Sequence, residues 1–344
     1  MSVEQRVEPV AAGPGVDGGP EPGAPGRPWD RPHVRRRVAW SLVVPTAVWL
    51  AVRVTGIGAG TPVETVVVFT PYVGLASVAV AAAAAALRVR GALAAAVGCC
   101  LGFGAVLAPL ALPGPDPSPA PTGPELRVMT ANVQYGRAEP EAVVRLVRER
   151  RVDLLGVQEL TPEFHDALLA AGLAELLPHM VIDARPGPDG TGLYSRHPAE
   201  AVDVEVDARS AHPTGLVDVP GAPPVQVTVV HPVPPVGGDL GAWRRTLRTL
   251  PRPEGDGRVH MLIGDFNATA DQPTMRALLD DGYVDAAAAR GQGWVPTWSR
   301  GLGPALPIDH VLVDRSTAVA GVSVHGLPGS DHKAVVAELR LPAG

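Results

Sequence analysis

Ile263-Gly264-Asp265-Phe266-Asn267-Ala268-Thr269, read IGDFNAT, follows the apolar run Val259–Ile263 and sets a carboxylate and an amide two residues apart. An apolar run that ends in Gly, Asp and Asn is a strand entering a turn, because Asp and Asn cap turns with their own side chains. Taken alone, the stretch fits an ordinary cap as well as a reacting pair. The rest of the chain has to decide between them.

Working outward, strand-like runs and helices succeed one another from Leu126. Leu126–Ala131 reads as a strand. Pro140–Arg150 reads as an amphipathic helix with Val143, Val144 and Val147 on one side, and Asp153–Gln158 as a second strand. Thr161 caps a helix with Pro162 in its first turn, and Gly172 ends it. Shorter strands are expected around Leu193 and at Val202–Val206, Leu216–Val219 and Val225–Val230, with a helix at Leu240–Leu250. Ile308–Val313 and Ala334–Leu339 complete the strands. The pattern predicts two sheets flanked by helices.

Polar residues gather where these strands end. They are Asn132, Glu159, His231, Asp265 with Asn267, Asp309 with His310, and Asp331 with His332. One such residue is usually a turn or surface group. A set at successive strand ends reads as a site, because loops converge there.

The ordered motifs TANVQYG, LLGVQEL, LYSRHP, TVVHPVPP, IGDFNAT, PIDHVLV and GSDHKAVV resemble the endonuclease/exonuclease/phosphatase superfamily. DNase I-like nucleases, sphingomyelinases and inositol-phosphate phosphatases share that fold. Each motif is short, but the set covers residues 125–344 in family order. The resemblance implies a four-layer α/β sandwich with the site at one edge of the paired sheets. It implies that Glu159 binds a metal, with Asn132 and Asp331 supporting metal or phosphate. The cofactor expected is Mg2+, which favours oxygen ligands, with Mn2+ as the alternative. Asp265 matches the residue that holds and deprotonates the attacking water, and Asn267 the amide that orients water and phosphate. Asp309 matches the carboxylate that fixes an imidazole, here His332. His231 matches a second imidazole, a donor to phosphate or leaving group.

Phosphate hydrolysis needs the same parts: a hard cation, an activated water and help for the leaving group. In this company Asp265 and Asn267 read as the water-activating pair rather than as a cap. His310 is expected to support its strand end, His197 to be a surface or structural group, and His165 to be solvated. Trp294 and Trp298 fit a lipid or sugar pocket and loop anchors equally well. The family often has Arg before IDH; Pro307 stands there, a departure that puts the phosphate contact from that position in doubt.

The first third of the 344 residues has another character. Residues 1–30 are rich in Gly, Pro and acids, and residues 1–37 are expected to form a disordered cytoplasmic tail. Three apolar runs follow, Val38–Val52, Val63–Leu87 and Gly91–Leu112, so residues 38–112 read as three transmembrane helices. The first run is the shortest and contains Pro45; it spans only if its ends tilt or Arg53 snorkels. Arg35–Arg37 precede the first span, and Arg88 and Arg90 separate the second from the third. Both clusters fall on the cytoplasmic side of a plasma membrane when the N-terminus is inside, which puts everything after Leu112 outside. Residues 113–124, PGPDPSPAPTGP, read as a Pro-rich tether, with a reach of roughly 37 Å at about 3.1 Å per residue. Cys99 and Cys100 are adjacent, lack metal-ligand spacing, and read as small apolar helix residues.

Charge narrows the substrate. Residues 125–344 carry twenty Lys and Arg against twenty-eight acids, net −8, whereas residues 1–124 are net +2. An acidic domain argues against gripping nucleic acid by its backbone. An outward-facing site tethered to a bilayer favours a membrane-surface phosphate, such as a lipid headgroup or a polyprenyl pyrophosphate. Three spans followed by this domain also resemble the teicoplanin-resistance membrane proteins of the VanJ type. That resemblance implies polyprenyl pyrophosphate dephosphorylation in cell-envelope recycling. Two rivals stay open. One is an extracytoplasmic nuclease or phospholipase C-like phosphodiesterase of the same fold. The other is a non-enzymatic binding or sensing module, against which the complete set of site residues counts.

Overall fold

The computed structural model describes residues 31–344 except 116, 118, 119, 254 and 302. The expected tail therefore lies mostly outside the described residues, and from Pro32 the chain is helical. Helices α1 (Pro32–Thr55), α2 (Val63–Ala86) and α3 (Arg90–Ala111) are each long and apolar enough to cross a membrane. Pro45 sits inside α1 without ending it, so the first run extends to 24 residues, a full spanning length. Towards the arginine-bearing end, Ala39 and Val43 pack on Ala84, Ala92 and Ala96. Towards the other end, Cys99, Phe103 and Leu107 pack against Trp49, Leu50 and Val73. Small residues let these helices approach closely: a Cβ on Gly102 would collide with Leu50.

The second end of the helix bundle is docked on the rest of the chain. Arg53 does not snorkel. It is buried, and its guanidinium holds Asp271 at 2.6 Å. Glu64 accepts from the backbone N–H of Thr274 at 2.9 Å and from its hydroxyl at 2.5 Å. Residues 113–124 are fastened at both ends rather than left as a free spacer. The Gly114 N–H donates to the Ala289 carbonyl and the Gly123 N–H to the Leu341 carbonyl, each at 3.0 Å.

The strands are β1 (Glu125–Asn132), β2 (Leu154–Gln158), β3 (His179–Asp183), β4 (Thr191–Ser195), β5 (Ala199–Val202), β6 (Thr214–Val217) and β7 (Val225–Val230). Next come β8 (Val259–Asp265), β9 (Tyr283–Asp285), β10 (Trp298–Ser299), β11 (Ala305–Leu306), β12 (Asp309–Asp314), β13 (Ala318–Gly326) and β14 (Lys333–Arg340). One six-stranded sheet has the order β13-β14-β1-β2-β4-β3 and the other β5-β6-β7-β8-β12-β9, while β10 and β11 form a separate hairpin. Outer helices are α4 (Pro140–Arg150), α5 (Pro162–Ala170), α6 (Leu240–Thr249) and α7 (Pro273–Asp280).

Side-chain alternation along the strands separates three cores. Val128, Leu154, Ile263 and Val335 point into the space between the sheets. Met129, Leu155 and Val336 turn the other way, onto Val143 and Val147 of α4 and Phe164 of α5. Leu262 and Leu312 meet Trp243 of α6 and Met275 of α7. Helix, sheet, sheet and helix therefore make the expected four-layer sandwich. Both faces of the central strands are covered, which explains their near-continuous apolar runs.

Two strand expectations shift. The expected strand Val202–Val206 is instead β5, which ends at Val202; its ladder partner Thr214 is the first residue of β6, so residues beyond Val202 have no strand to pair with. The expected Leu216–Val219 moves to Thr214–Val217, the register that faces Val225–Thr228.

Candidate active site at one edge of the sheets

β1 and β2 run parallel, as do β7 and β8, so Asn132, Glu159, His231 and Asp265 come from strand ends on the same side. β12 runs antiparallel to β8 and opens with Asp309, which faces Asp265 directly across the ladder. β14 begins just after Asp331 and His332. The topology thus delivers the polar residues to one rim. Gly264 is required here: its φ is +154°, and a Cβ would collide with the Val230 carbonyl on β7.

Asn132 is fully buried at the centre. Its amide donates to Glu159 Oε1 at 3.1 Å and to Asp265 Oδ2 at 3.0 Å, and its Oδ1 accepts from the Gln134 N–H at 2.9 Å. Glu159 Oε2 accepts from the Tyr135 N–H at 2.8 Å. Glu159 adopts φ +57°, a left-handed conformation that costs a non-glycine residue energy and often marks a functional position. Burial holds the Glu159 carboxyl above its ordinary value against the lowering effect of Asn132 and Tyr135, and the nearby Asp331 charge adds to the rise.

Asp265 is 2% exposed. Burial, then the charge of Asp309, raises its pKa well above the usual carboxylate range. Its Oδ1 accepts from the Asn267 N–H at 2.8 Å, closing a turn in which Asn267 takes φ +49°. The opening stretch is therefore a cap and a buried acid at once. Asn267 donates its side-chain amide to the Pro232 carbonyl at 3.0 Å, which anchors it beside Asp265.

His332 Nδ1 meets Asp309 Oδ2 at 3.0 Å and Oδ1 at 3.2 Å, leaving Nε2 3.7 Å from Asp265 Oδ2. Burial opposes the charge on this ring, but Asp309 and Asp265 outweigh it and lift the pKa to about 10. His332 is the imidazolium of the site. His231 differs. Its Nε2 lies 3.8 Å from both Glu159 and Asp265, yet burial, with help from His212 and His332, pushes its pKa down to about 3. It is neutral at physiological pH.

Three further residues complete the site. Thr297 Oγ1 accepts from the Ile308 and Asp309 N–H groups, each at 3.0 Å. Ser330 accepts from the His332 N–H at 3.0 Å and donates to the Asn132 carbonyl at 2.8 Å. Trp298 donates to Asp331 Oδ2 at 3.2 Å, with its ring 6.4 Å from that of His332. Ser330 lies within the GSDHKAVV motif and Trp298 was expected as a pocket residue or loop anchor, whereas Thr297 carried no sequence signal. His310 stands apart as a structural group between Asp285 at 2.8 Å and the Ala268 carbonyl at 2.9 Å. His197 is partly buried, and its backbone N–H and carbonyl both bond the Ser195 hydroxyl. His165 is not simply solvated, since its Nδ1 lies 2.8 Å from the Tyr194 hydroxyl.

The donor set fits a hard divalent cation. Glu159, Asp265 and Asp309 are buried carboxylates, two of them with raised pKa values, and His332 is the only cationic side chain among the residues just described. Excess buried negative charge on oxygen atoms is what Mg2+ or Ca2+ sites offer. Two groupings are available. One is Glu159 beside Asn132 and Asp331, as expected from the motifs. The other is Asp265, Asp309 and His332, whose ligand atoms lie within 4.8 Å of one another; a protonated His332 has no lone pair for a metal, so its charge favours the Glu159 grouping.

Among solved structures, an endonuclease/exonuclease/phosphatase from Beutenbergia cavernae DSM 12333 is 22% identical, with a TM-score of 0.50 over 63% of this chain and 72% of its own. An AP endonuclease from Archaeoglobus fulgidus is 16% identical, with a TM-score of 0.52 over 62% and 98%. The Neisseria 3' phosphatase NExo, bound to a product DNA hairpin, is 20% identical, with a TM-score of 0.51 over 62% and 98%. At these identities the likeness shows the fold alone. No curated protein matches the chain. Residues 129–332, more than half of the chain, match the Endonuclease/Exonuclease/phosphatase family, and the chain belongs to it.

Proposed function

We propose that the chain is a membrane-anchored, divalent-metal-dependent phosphohydrolase that acts on a lipid phosphate or pyrophosphate at the outer membrane surface. Family members are typically metal-dependent hydrolases of phosphoester bonds, which gives the reaction class. The observation that carries the finer reading is the docking of the catalytic domain on one end of three apolar helices, through Arg53–Asp271 and Glu64–Thr274. Such an anchor holds the site near lipid headgroups. The three-helix arrangement also supports kinship with the VanJ-type resistance proteins, and with it a polyprenyl pyrophosphate substrate in cell-envelope recycling.

Glu159, with Asn132 and Asp331, would hold the cation, which supplies positive charge against the phosphoryl oxygens. Asp265 takes a proton from the attacking water, and its raised pKa brings it closer to the working range of a general base. Asn132 and the Asn267 N–H keep that carboxylate aimed. His332, kept charged by Asp309, donates from Nε2 to a phosphoryl oxygen. His231, neutral, donates a hydrogen bond without adding charge.

The test is phosphate release by the full chain in detergent, with Mg2+ and with chelator, from a polyprenyl pyrophosphate, a phospholipid and DNA. Preference for the lipid pyrophosphate supports the reading. DNA cleavage with inert lipids contradicts it and selects the nuclease alternative.

A further inference from the structure

An apolar groove of about 300 Å³ lies between the helices and the catalytic domain, at the lower end of ligand-pocket sizes. α2 supplies Val68, Tyr72 and Leu75, α3 supplies Leu110, and the domain supplies Trp294 and Leu306. Asp271, the charged residue at its margin, is neutralised by Arg53 at 2.6 Å. Leu75 is 75% exposed, Tyr72 46% and Trp294 42%. Leu75 lies one turn further along α2 than Tyr72, so on a spanning helix the groove opens sideways towards lipid. Tyr and Trp at its mouth are the side chains suited to a membrane–water boundary.

The β10–β11 hairpin is the wall nearest the chemistry. The Tyr72 hydroxyl donates to the Ala305 carbonyl at 2.9 Å and accepts from the Ala305 N–H at 3.0 Å, fastening β11 to α2. On β10, Trp298 reaches Asp331 and His332. Ser299 then lines an open cleft of about 420 Å³ with Ser330, Asp331, His332 and Lys333. A single hairpin therefore separates an apolar recess facing the bilayer from a polar recess at the catalytic imidazolium.

We infer that the groove seats the head-proximal hydrocarbon chain of an amphiphilic phosphate drawn from the bilayer, with its phosphate across the hairpin at His332. This rests on the lipid-phosphate reading of the site. A water-soluble phosphoester leaves the groove empty, so the groove is what makes the enzyme prefer lipid.

Two readouts on the full chain in phosphatidylcholine vesicles test it. The first compares kcat/KM for an isoprenyl pyrophosphate of several units with that for its water-soluble one-unit homologue. Trp294→Ser and Leu75→Asn, both at exposed positions, should each lower the long-chain preference about tenfold, the loss of roughly 1.4 kcal/mol of apolar contact. The second needs no turnover. In Asp265→Asn protein, a photoreactive group in the chain of a phosphatidic acid should label Val68, Leu110 and Leu306. Unlabelled phosphatidic acid or isoprenyl phosphate should compete, and the stronger competitor identifies the chain type. An unchanged preference, or labelling spread evenly over the lipid-facing helices, overturns the inference. Labelling confined to the groove, with neither pyrophosphate hydrolysed, keeps the groove and sinks the hydrolase reading instead.

Discussion

Asp309 and His332 form one unit at the residue scale: the carboxylate spans both oxygens onto Nδ1 and sets the charge that Nε2 presents to Asp265. His332→Ala should lower single-turnover phosphate release by about 10²–10⁴, and Asp309→Asn should be damaging through the same ring. The double variant should cost little more than His332→Ala alone, because groups that act together are not additive. Multiplying losses would break the pairing. His310→Ala belongs to another class. It leaves Asp285 buried without its partner, and should cost about 3 kcal/mol or more of stability in denaturant unfolding, with little change in turnover of the folded fraction.

His212 gives a pH prediction. Its Nε2 accepts from the His231 N–H at 3.2 Å, and burial, aided by Arg185, pushes its pKa to about 4. Unfolded, it titrates near 6.5. Between those values the unfolded state binds the extra proton, so stability falls as pH drops from about 6.5 through 4. His212→Gln should flatten that acid limb; an unchanged profile would remove His212 from the account. The residue types of the site were legible because each acid, amide or imidazole closes an apolar run. The bridging role of Asn132 and the neutrality of His231 were not, since both arise from burial among residues far apart in sequence.

At the element scale, the strands read from sequence were those with long apolar runs. β1, β7 and β14 are buried on both faces or on a clean alternation, and their ends fell within two residues of expectation. The strands β3, Tyr283–Asp285 (β9) and Ala318–Gly326 (β13) went unread. All three are sheet edges; β3 and β13 are of intermediate burial with mixed polarity, and β9 is three residues long. The hairpin β10–β11 is two residues a side and is held by Tyr72, a contact invisible locally. α1 was underestimated because Pro45 and Arg53 looked like defects. Arg53 is a docking residue: Arg53→Ala removes the ion pair of buried Asp271 and leaves only the weaker influence of Arg276, and should cost about 3 kcal/mol. The measurement is thermal unfolding of the full chain in detergent; a loss under 1 kcal/mol would deny the clasp its role.

At the scale of the whole molecule, the helix contacts place Arg35–Arg37, Arg88 and Arg90 at the end of the bundle away from the catalytic domain. Positive charge favours the cytoplasmic side, and on that ground we propose that the domain lies outside. A reporter active only in the cytoplasm, fused after Gly344, should stay silent, and a strong signal would reverse the topology. The four-layer architecture was legible from motif order. The docking of the bundle, and the groove it makes with β10–β11, depends on tertiary contacts that no local pattern encodes.

The most direct measurement is phosphate release from a polyprenyl pyrophosphate in vesicles by the full chain, by Glu159→Gln and by the chain in chelator. The account predicts release by the chain with Mg2+, and loss of most of it, by two orders of magnitude or about that, in the other two arms while the fold persists. Equal release with chelator, or from folded Glu159→Gln protein, would contradict it.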